Sequence, residues 1–199
     1  GLYRFYEELA LRFAEAGVDA LAIDYFGRTA GIGIRERPTD FDFMAHVGET
    51  RFSNLSWDVQ VAAERLRELD APGTPGAAST AARPRVRAIF TIGFCFGGRL
   101  SFLANTLGLD LAGSIGFYGW PVGARGDIPA PADSTGLMTA PVLGIFGGAD
   151  RGIPAEAVES FQSALAATGI PHSVITYPAA PHSFFDRKAE DFADASTDA

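Results

Sequence analysis

The stretch "VRAIFTIGFCFGGRLSF", residues 86 to 102, restricts the fold of this chain more than any other. Residues 86 to 92 form a nearly continuous apolar run, the pattern of a strand buried on both faces in a parallel sheet. "GGRLSFLANTLG" continues as a helix. The turn between them, Gly93-Phe94-Cys95-Phe96-Gly97, has the G-x-nucleophile-x-G spacing of a nucleophile elbow. Its physics is steric. A residue on a sharp strand-to-helix turn sits in strained backbone, so the positions two before and two after it must lack bulk. Gly93 and Gly97 meet that need, and Gly98 lets the helix lie close to the sheet. Cys95 then faces the N-terminus of the next helix, whose N–H groups and positive dipole end favour a thiolate. The backbone N–H of Phe96 becomes a donor for an oxyanion. The bland alternative is a small, buried, inert cysteine, so the rest of the chain has to decide.

Helical and strand patterns alternate on both sides of this turn. "RFYEELALRFAEAG" is a helix, with Phe5, Leu9 and Phe13 at four-residue spacing and Gly17 as its left-handed cap. "VDALAID" (18 to 24) reads as a strand. Residues 25 to 54 read as a long lid-like loop, and "LSWDVQVAAERLREL" as a helix with Leu55, Val59, Ala62, Leu66 and Leu69 on one side. Residues 70 to 85 are rich in Pro, Gly and Ala and are expected to be a flexible surface loop. Strand "LAGSIGFYG", strand "APVLGIFGG", helix "AEAVESFQSALAATG" and strand "HSVITYP" complete the pattern. This predicts a single α/β domain over residues 1 to 199, with a largely parallel sheet and helices on both faces.

The chain has 199 residues, which fits one domain. Its formal net charge of -8 argues against nucleic-acid or anionic-membrane partners. No apolar run is long enough to span a membrane. With one cysteine there is no internal disulfide, which fits a reducing, cytoplasmic setting. One cysteine and three scattered histidines have no zinc-ligand spacing, so neither metal nor organic cofactor is expected.

An elbow calls for partners in the order nucleophile, acid, histidine. "PVLGIFGGADRGIP" ends a strand in Gly147, Gly148 and Asp150, and "TYPAAPHSFFD" comes after the last strand with His182. Both lie beyond the C-terminal ends of parallel strands, where open α/β sheets gather their ligand sites. Asp150 also reads as a helix N-cap before Pro154, and His182 as an ordinary loop residue. His172 opens its strand and belongs at the opposite edge of the sheet, and His46 precedes the nucleophile. Asp24, Asp127 and Asp133 are set aside for the acid.

Taken together, "GFCFGGRLSF", "PVLGIFGGADRGIP" and "YPAAPHSF" resemble the dienelactone hydrolase family, the carboxymethylenebutenolidase-like branch of the α/β-hydrolases that uses Cys-Asp-His. "VDALAIDYFGRTAG" is similar to that family's strand and loop entering the lid. The resemblance implies an α/β-hydrolase fold and hydrolysis of a small ester or enol-lactone. Cys95 would be the nucleophile, His182 the base, Asp150 its orienting acid and Phe96 the oxyanion donor. Tyr118, Ser183, Phe184 and Arg187 are the candidate substrate contacts. It also implies early strands, a second oxyanion donor and a closing helix beyond the ends of this chain, whose absence would leave a poor enzyme. Family members acting on dienelactone carry an arginine shortly after the histidine. Asp186 stands at that position here, Arg187 is one step along, and Arg28, Arg35, Arg37 and Arg51 of the lid are the possible substitutes. A non-catalytic binding domain of the same fold and a redox-sensing thiol protein remain as alternatives.

Overall fold

The computed structural model describes residues 2–32, 41–69 and 88–186. The chain divides into two compact units, Gly1–Arg87 and Ala88–Ala199.

The first unit is helical. Helix α1 (Arg4–Glu15) ends where expected, with Gly17 at φ +84° after the cap residue Ala16. The described residues between 25 and 54 are helical where their composition reads as a loop. They hold α2 (Gly27–Ala30), α3 (Phe43–Glu49) and the first residues of α4 (Phe52–Leu69). Asp42 starts α3 by accepting the Ala45 N–H at 3.3 Å, a side-chain cap that the aromatic and glycine content obscured. On α4 the buried residues are Leu55, Val59 and Ala63, with Ala62 and Leu66 half-buried beside them. Residues 18 to 24 form no strand, in contrast to the expectation. A strand exists only through a partner, and apolar alternation can mark the candidate but cannot supply the pairing.

The second unit is a parallel sheet in the order β1-β2-β3-β4, formed by β1 (Phe90–Phe94), β2 (Gly113–Phe117), β3 (Val142–Gly147) and β4 (His172–Tyr177). Its register pairs Gly93 with Gly116 and Gly116 with Gly144, so a row of glycines crosses one face. Helix α5 (Phe96–Ala104) uses that space. A Cβ on Gly116 would run into the ring of Phe102. Phe102 also meets Phe161 of α6 (Ala155–Thr168) at 4.8 Å and Phe146 of β3 at 6.5 Å, which places both helices on the same face. Phe102 and Phe161 are both fully buried, each contributing roughly 2 to 3 kcal/mol of transfer free energy.

Among the described residues β1 is the first strand of the sheet, and Phe90 and Ile92, on its face away from α5, are 56% and 39% exposed. Below the sheet Asn105 satisfies four buried backbone and side-chain groups. It donates to Ser114 Oγ and the Ala140 carbonyl, and it accepts the N–H groups of Thr139 and Ala140.

Candidate active site

The turn after β1 takes the strained form its glycines predicted. Cys95 has φ +53° and ψ −120°, a conformation that costs an L-residue on the order of 1 to 3 kcal/mol. The surroundings hold it there. The Cys95 N–H donates to the Phe117 carbonyl at 3.0 Å, and the Cys95 carbonyl accepts the Arg99 N–H at 3.2 Å. A Cβ on Gly93 would occupy the place of the Gly97 carbonyl, and one on Gly98 would lie 2.5 Å from the Phe117 oxygen. Cys95 caps α5 and Phe96 is its first residue, so the thiol and the Phe96 N–H share the positive end of the helix.

Two further loops converge beyond the same end of the sheet. The turn after β3 and the turn after β4 lie backbone to backbone. Gly148 N–H donates to the Tyr177 carbonyl at 2.8 Å, and Ala149 N–H to the Ala180 carbonyl at 3.0 Å. A side chain on Gly147 would strike the Ala180 carbonyl, and one on Gly148 would come within 2.7 Å of the Pro178 carbonyl. This close approach brings His182 Nδ1 to 2.6 Å from Asp150 Oδ2. The other carboxylate oxygen, Oδ1, accepts the Gly152 N–H at 2.8 Å. Asp150 therefore does not cap α6, whose N-cap is Pro154.

The electrostatics arise from burial and pairing. The Asp150 side chain is 1% exposed and that of His182 is 37% exposed. Burial alone would raise the Asp150 carboxyl. The hydrogen bonds from His182 and the Gly152 N–H outweigh it, and the group is held below the usual carboxylate range. Burial likewise works against the imidazolium of His182. Hydrogen bonds and charge from Asp150 and Cys95 overcome it and push His182 up to about 10. Asp150 occupies Nδ1, so the interaction of the ring with Cys95 falls to its Nε2 side.

The remaining candidates separate clearly. Tyr118 and Phe184 are sealed from solvent; Tyr118 packs on His182 at 5.1 Å and on Phe184 at 5.5 Å. The Tyr118 ring backs the imidazole, and Phe184 packs against Tyr118. Ser183 is buried at φ +63°, the turn that sends Phe184 under Tyr118. Arg187, Arg35 and Arg37 lie outside the described residues. In the first unit, Arg28 forms a two-pronged pair with Asp58 at 2.5 and 2.6 Å, and Arg51 donates to the Gly48 carbonyl at 3.2 Å. His46 bonds Thr29 at 2.8 Å and stacks on Phe41. Asp24 accepts the Leu2 and Phe26 N–H groups. His172 opens β4, paired in register with Val142 at the start of β3, and its Nδ1 lies 2.9 Å from the Ile170 carbonyl.

One buried charge had drawn no attention in the sequence. Arg99 is 2% exposed, and all of its side-chain hydrogen-bond acceptors are carbonyls of the segment from Trp120 to Pro129. Nothing local could have revealed it, because every side-chain acceptor lies more than 20 residues away in the chain.

A parallel sheet with a strained cysteine on its strand-to-helix turn, and with an acid and a histidine brought together past the next strand ends, has the α/β-hydrolase fold. Comparison with known proteins narrows the class. The Dienelactone hydrolase family profile matches residues 1–199, and the chain belongs to that family. A protein of Escherichia coli O157:H7 named "Putative carboxymethylenebutenolidase" is 36% identical over 101 residues, which make up 50% of this chain and 37% of the relative. A Synechocystis protein of the same name is 33% identical over 145 residues, 71% of this chain and 58% of its own length. These matches thus span between about a third and three fifths of the curated relatives. Among solved structures, one described as a dienelactone hydrolase-like promiscuous phosphotriesterase from metagenomic libraries superposes with a TM-score of 0.71 at 22% identity. It covers 100% of this chain and 77% of that one. Another, named m3DLH, superposes at 0.64 and 24% identity, covering 100% and 79%.

Proposed function

We propose that this chain is a hydrolase of small carboxylic esters or enol-lactones that works through Cys95, His182 and Asp150 by way of a thioester acyl-enzyme. The observation that carries the reading is the 2.6 Å bond from His182 Nδ1 to Asp150, made while Cys95 on its strained turn acts with Asp150 to favour the same imidazolium. The family to which the chain belongs supports the substrate class.

The Cys95 sulfur, as thiolate beside the His182 imidazolium, attacks the ester carbonyl carbon. A C–S bond forms and the carbonyl electron pair moves onto oxygen, where the Phe96 N–H receives it. On collapse the C–O bond to the leaving group breaks. The His182 Nε2 proton passes to that oxygen, releasing an alcohol, or an enol that remains tethered if the substrate is a lactone. His182, now neutral, removes a proton from water as the water attacks the thioester. The second tetrahedral intermediate expels the sulfur, and the thiolate–imidazolium pair is restored. Asp150 keeps one tautomer in place and stabilises the imidazolium without taking its proton.

The test is a panel of small esters and lactones assayed on the wild type and on Cys95→Ala, with mass spectrometry of the quenched reaction. Turnover confined to the wild type, with acyl mass on the peptide containing Cys95, is the expected result. Equal turnover by both proteins refutes the mechanism.

A further inference from the structure

We infer that Arg99 is a positioning residue for the Cys95–His182 pair: its buried guanidinium clamps the segment after β2, which runs on from the Phe117 carbonyl that holds the Cys95 N–H and carries the Tyr118 ring packed on His182. The inference rests on the hydrolase reading above for its role in turnover, although the geometry stands by itself.

The segment begins where β2 ends. The Phe117 carbonyl accepts the N–H of Cys95, so β2 fixes the turn of the nucleophile. Tyr118, the next residue, has φ +38°, and its N–H donates to the Ile145 carbonyl of β3 at 2.7 Å. Its ring backs the imidazole of His182. Gly119 lies against the first turn of α5, where a Cβ would collide with the Arg99 backbone nitrogen. From Trp120 onward the chain is held by the Arg99 side chain. Nη1 donates to the carbonyls of Trp120 at 2.9 Å and Val122 at 3.3 Å. Nη2 donates to Gly123 at 2.6 Å, Pro129 at 2.7 Å and, more weakly, Ile128 at 3.5 Å. A residue one turn from the nucleophile thus anchors the stretch of chain that holds the base from behind.

The fold accepts a cost for this clamp. Among the described residues no carboxylate lies within ion-pair distance of Arg99. Burial, with Arg125 acting in the same direction and Asp133 against it, brings Arg99 down to about 10, so it stays protonated at neutral pH at the expense of stability. A planar fork with several donors in fixed directions can hold many carbonyls of one irregular segment at once, which a single ammonium cannot do. An apolar residue would fill the same volume without that penalty. Orientation of the segment is what the guanidinium adds.

The experiment compares the wild-type chain with Arg99→Lys, which keeps charge and stem, and with Arg99→Gln. Two readouts are taken well below the melting temperature of each protein. One is the nitrogen-15 histidine spectrum, in which the His182 signals are identified by their loss in His182→Gln. The other is kcat and KM for a small phenyl ester. The expected result in Arg99→Lys is a displaced or broadened His182 resonance with the His46 and His172 signals unchanged. kcat should fall about tenfold to a hundredfold with KM held within about threefold, the scale of a small misplacement at a reacting centre. Arg99→Gln should show the same pattern if it folds; Arg99→Lys decides the matter if it does not. An unaltered His182 spectrum and unaltered kcat in folded Arg99→Lys, with only the melting temperature lowered, would make Arg99 a structural anchor and overturn the inference. If the wild type itself lacks ester turnover, the hydrolase reading fails, and the His182 spectrum alone decides the positioning.

Discussion

The carbonyl oxygen of Gly97 occupies the space that a Cβ on Gly93 would need. Strand and helix meet there with no room for a side chain, and the contact is with backbone that cannot rotate away. Gly93→Ala should therefore cost on the order of 3 kcal/mol and distort the turn that carries Cys95. Gly136→Ala is the control. A Cβ at Gly136 meets nothing within 4 Å, and the expected change is within about 0.5 kcal/mol. Denaturant melts of the two variants check the contrast, and equal stability would mean that the crowding at Gly93 is relieved by movement.

Removing the thiol separates chemistry from folding. Cys95→Ala should lower ester turnover by at least about a thousandfold, the scale seen when a triad nucleophile is lost, while leaving the melting temperature within a few degrees. Cys95→Ser is expected to rescue little, because a hydroxyl is a far weaker acid and the imidazolium beside it is poorly suited to act as its base. Steady-state rates and thermal melts on the same preparations decide this.

The tripeptide Pro-His-Ser occurs at residues 171 to 173 and 181 to 183, and its two histidines should behave oppositely. His182 lies beyond β4 with Asp150, whereas His172 opens β4, a strand length away. His182→Ala should reduce acylation by about a thousandfold or more. His172→Ala should leave kcat within about twofold and change only stability, within about 1 kcal/mol. A large kcat loss in folded His172→Ala would contradict the proposed base.

Stability should depend on pH through the His182–Asp150 pair. The folded state raises His182 from 6.5 to about 10, so it binds a proton that the unfolded chain has released in that interval. The stabilisation is full below about 6.5 and is lost as pH rises through 10. His182 is more than a third exposed, so solvent screening reduces the contribution to about 1 to 2 kcal/mol. Asp150 acts at the other end. Its lowered carboxyl contributes stability at neutral pH that disappears as the solution is acidified through its folded value. Urea melts of the wild type and Asp150→Asn across the alkaline range test the first limb. The variant should show a much flatter loss, and parallel curves would show that the pair adds nothing to folding.

The elbow was legible because its demand is local. A strained residue between strand and helix needs small neighbours two positions away on each side, and residues 93 to 97 display them in order. The acid and the histidine were legible at one remove. Parallel strands joined by helices send every strand end of one kind to one edge, so chain order alone put Asp150 and His182 on the side of Cys95 and His172 on the other. The helical segments around Leu55 and Val59, and the cap at Gly17, come from periodicity and from the freedom of glycine at positive φ.

Features that the chain could not announce depend on partners distant in sequence. The apolar alternation of residues 18 to 24 is compatible with a strand, but pairing is a property of two segments, and none is formed there. The run ending in Ile92 is equally apolar whether its strand lies inside the sheet or at its margin, and only the order of the described strands places β1 first. Tyr118 and Phe184 are candidate substrate contacts by resemblance alone; packing seals both rings from solvent, Tyr118 against His182 and Phe184 against Tyr118. Arg99 reads as an ordinary helical cation until the carbonyls of Trp120 to Pro129 close around it. Local sterics and chain direction were enough to set which turn holds Cys95 and which edge receives Asp150 and His182, and both are written in the order of residues. The side chains buried behind that edge, and the charge that holds them there, were settled by folding, because burial and hydrogen-bond supply come from segments far apart in the chain.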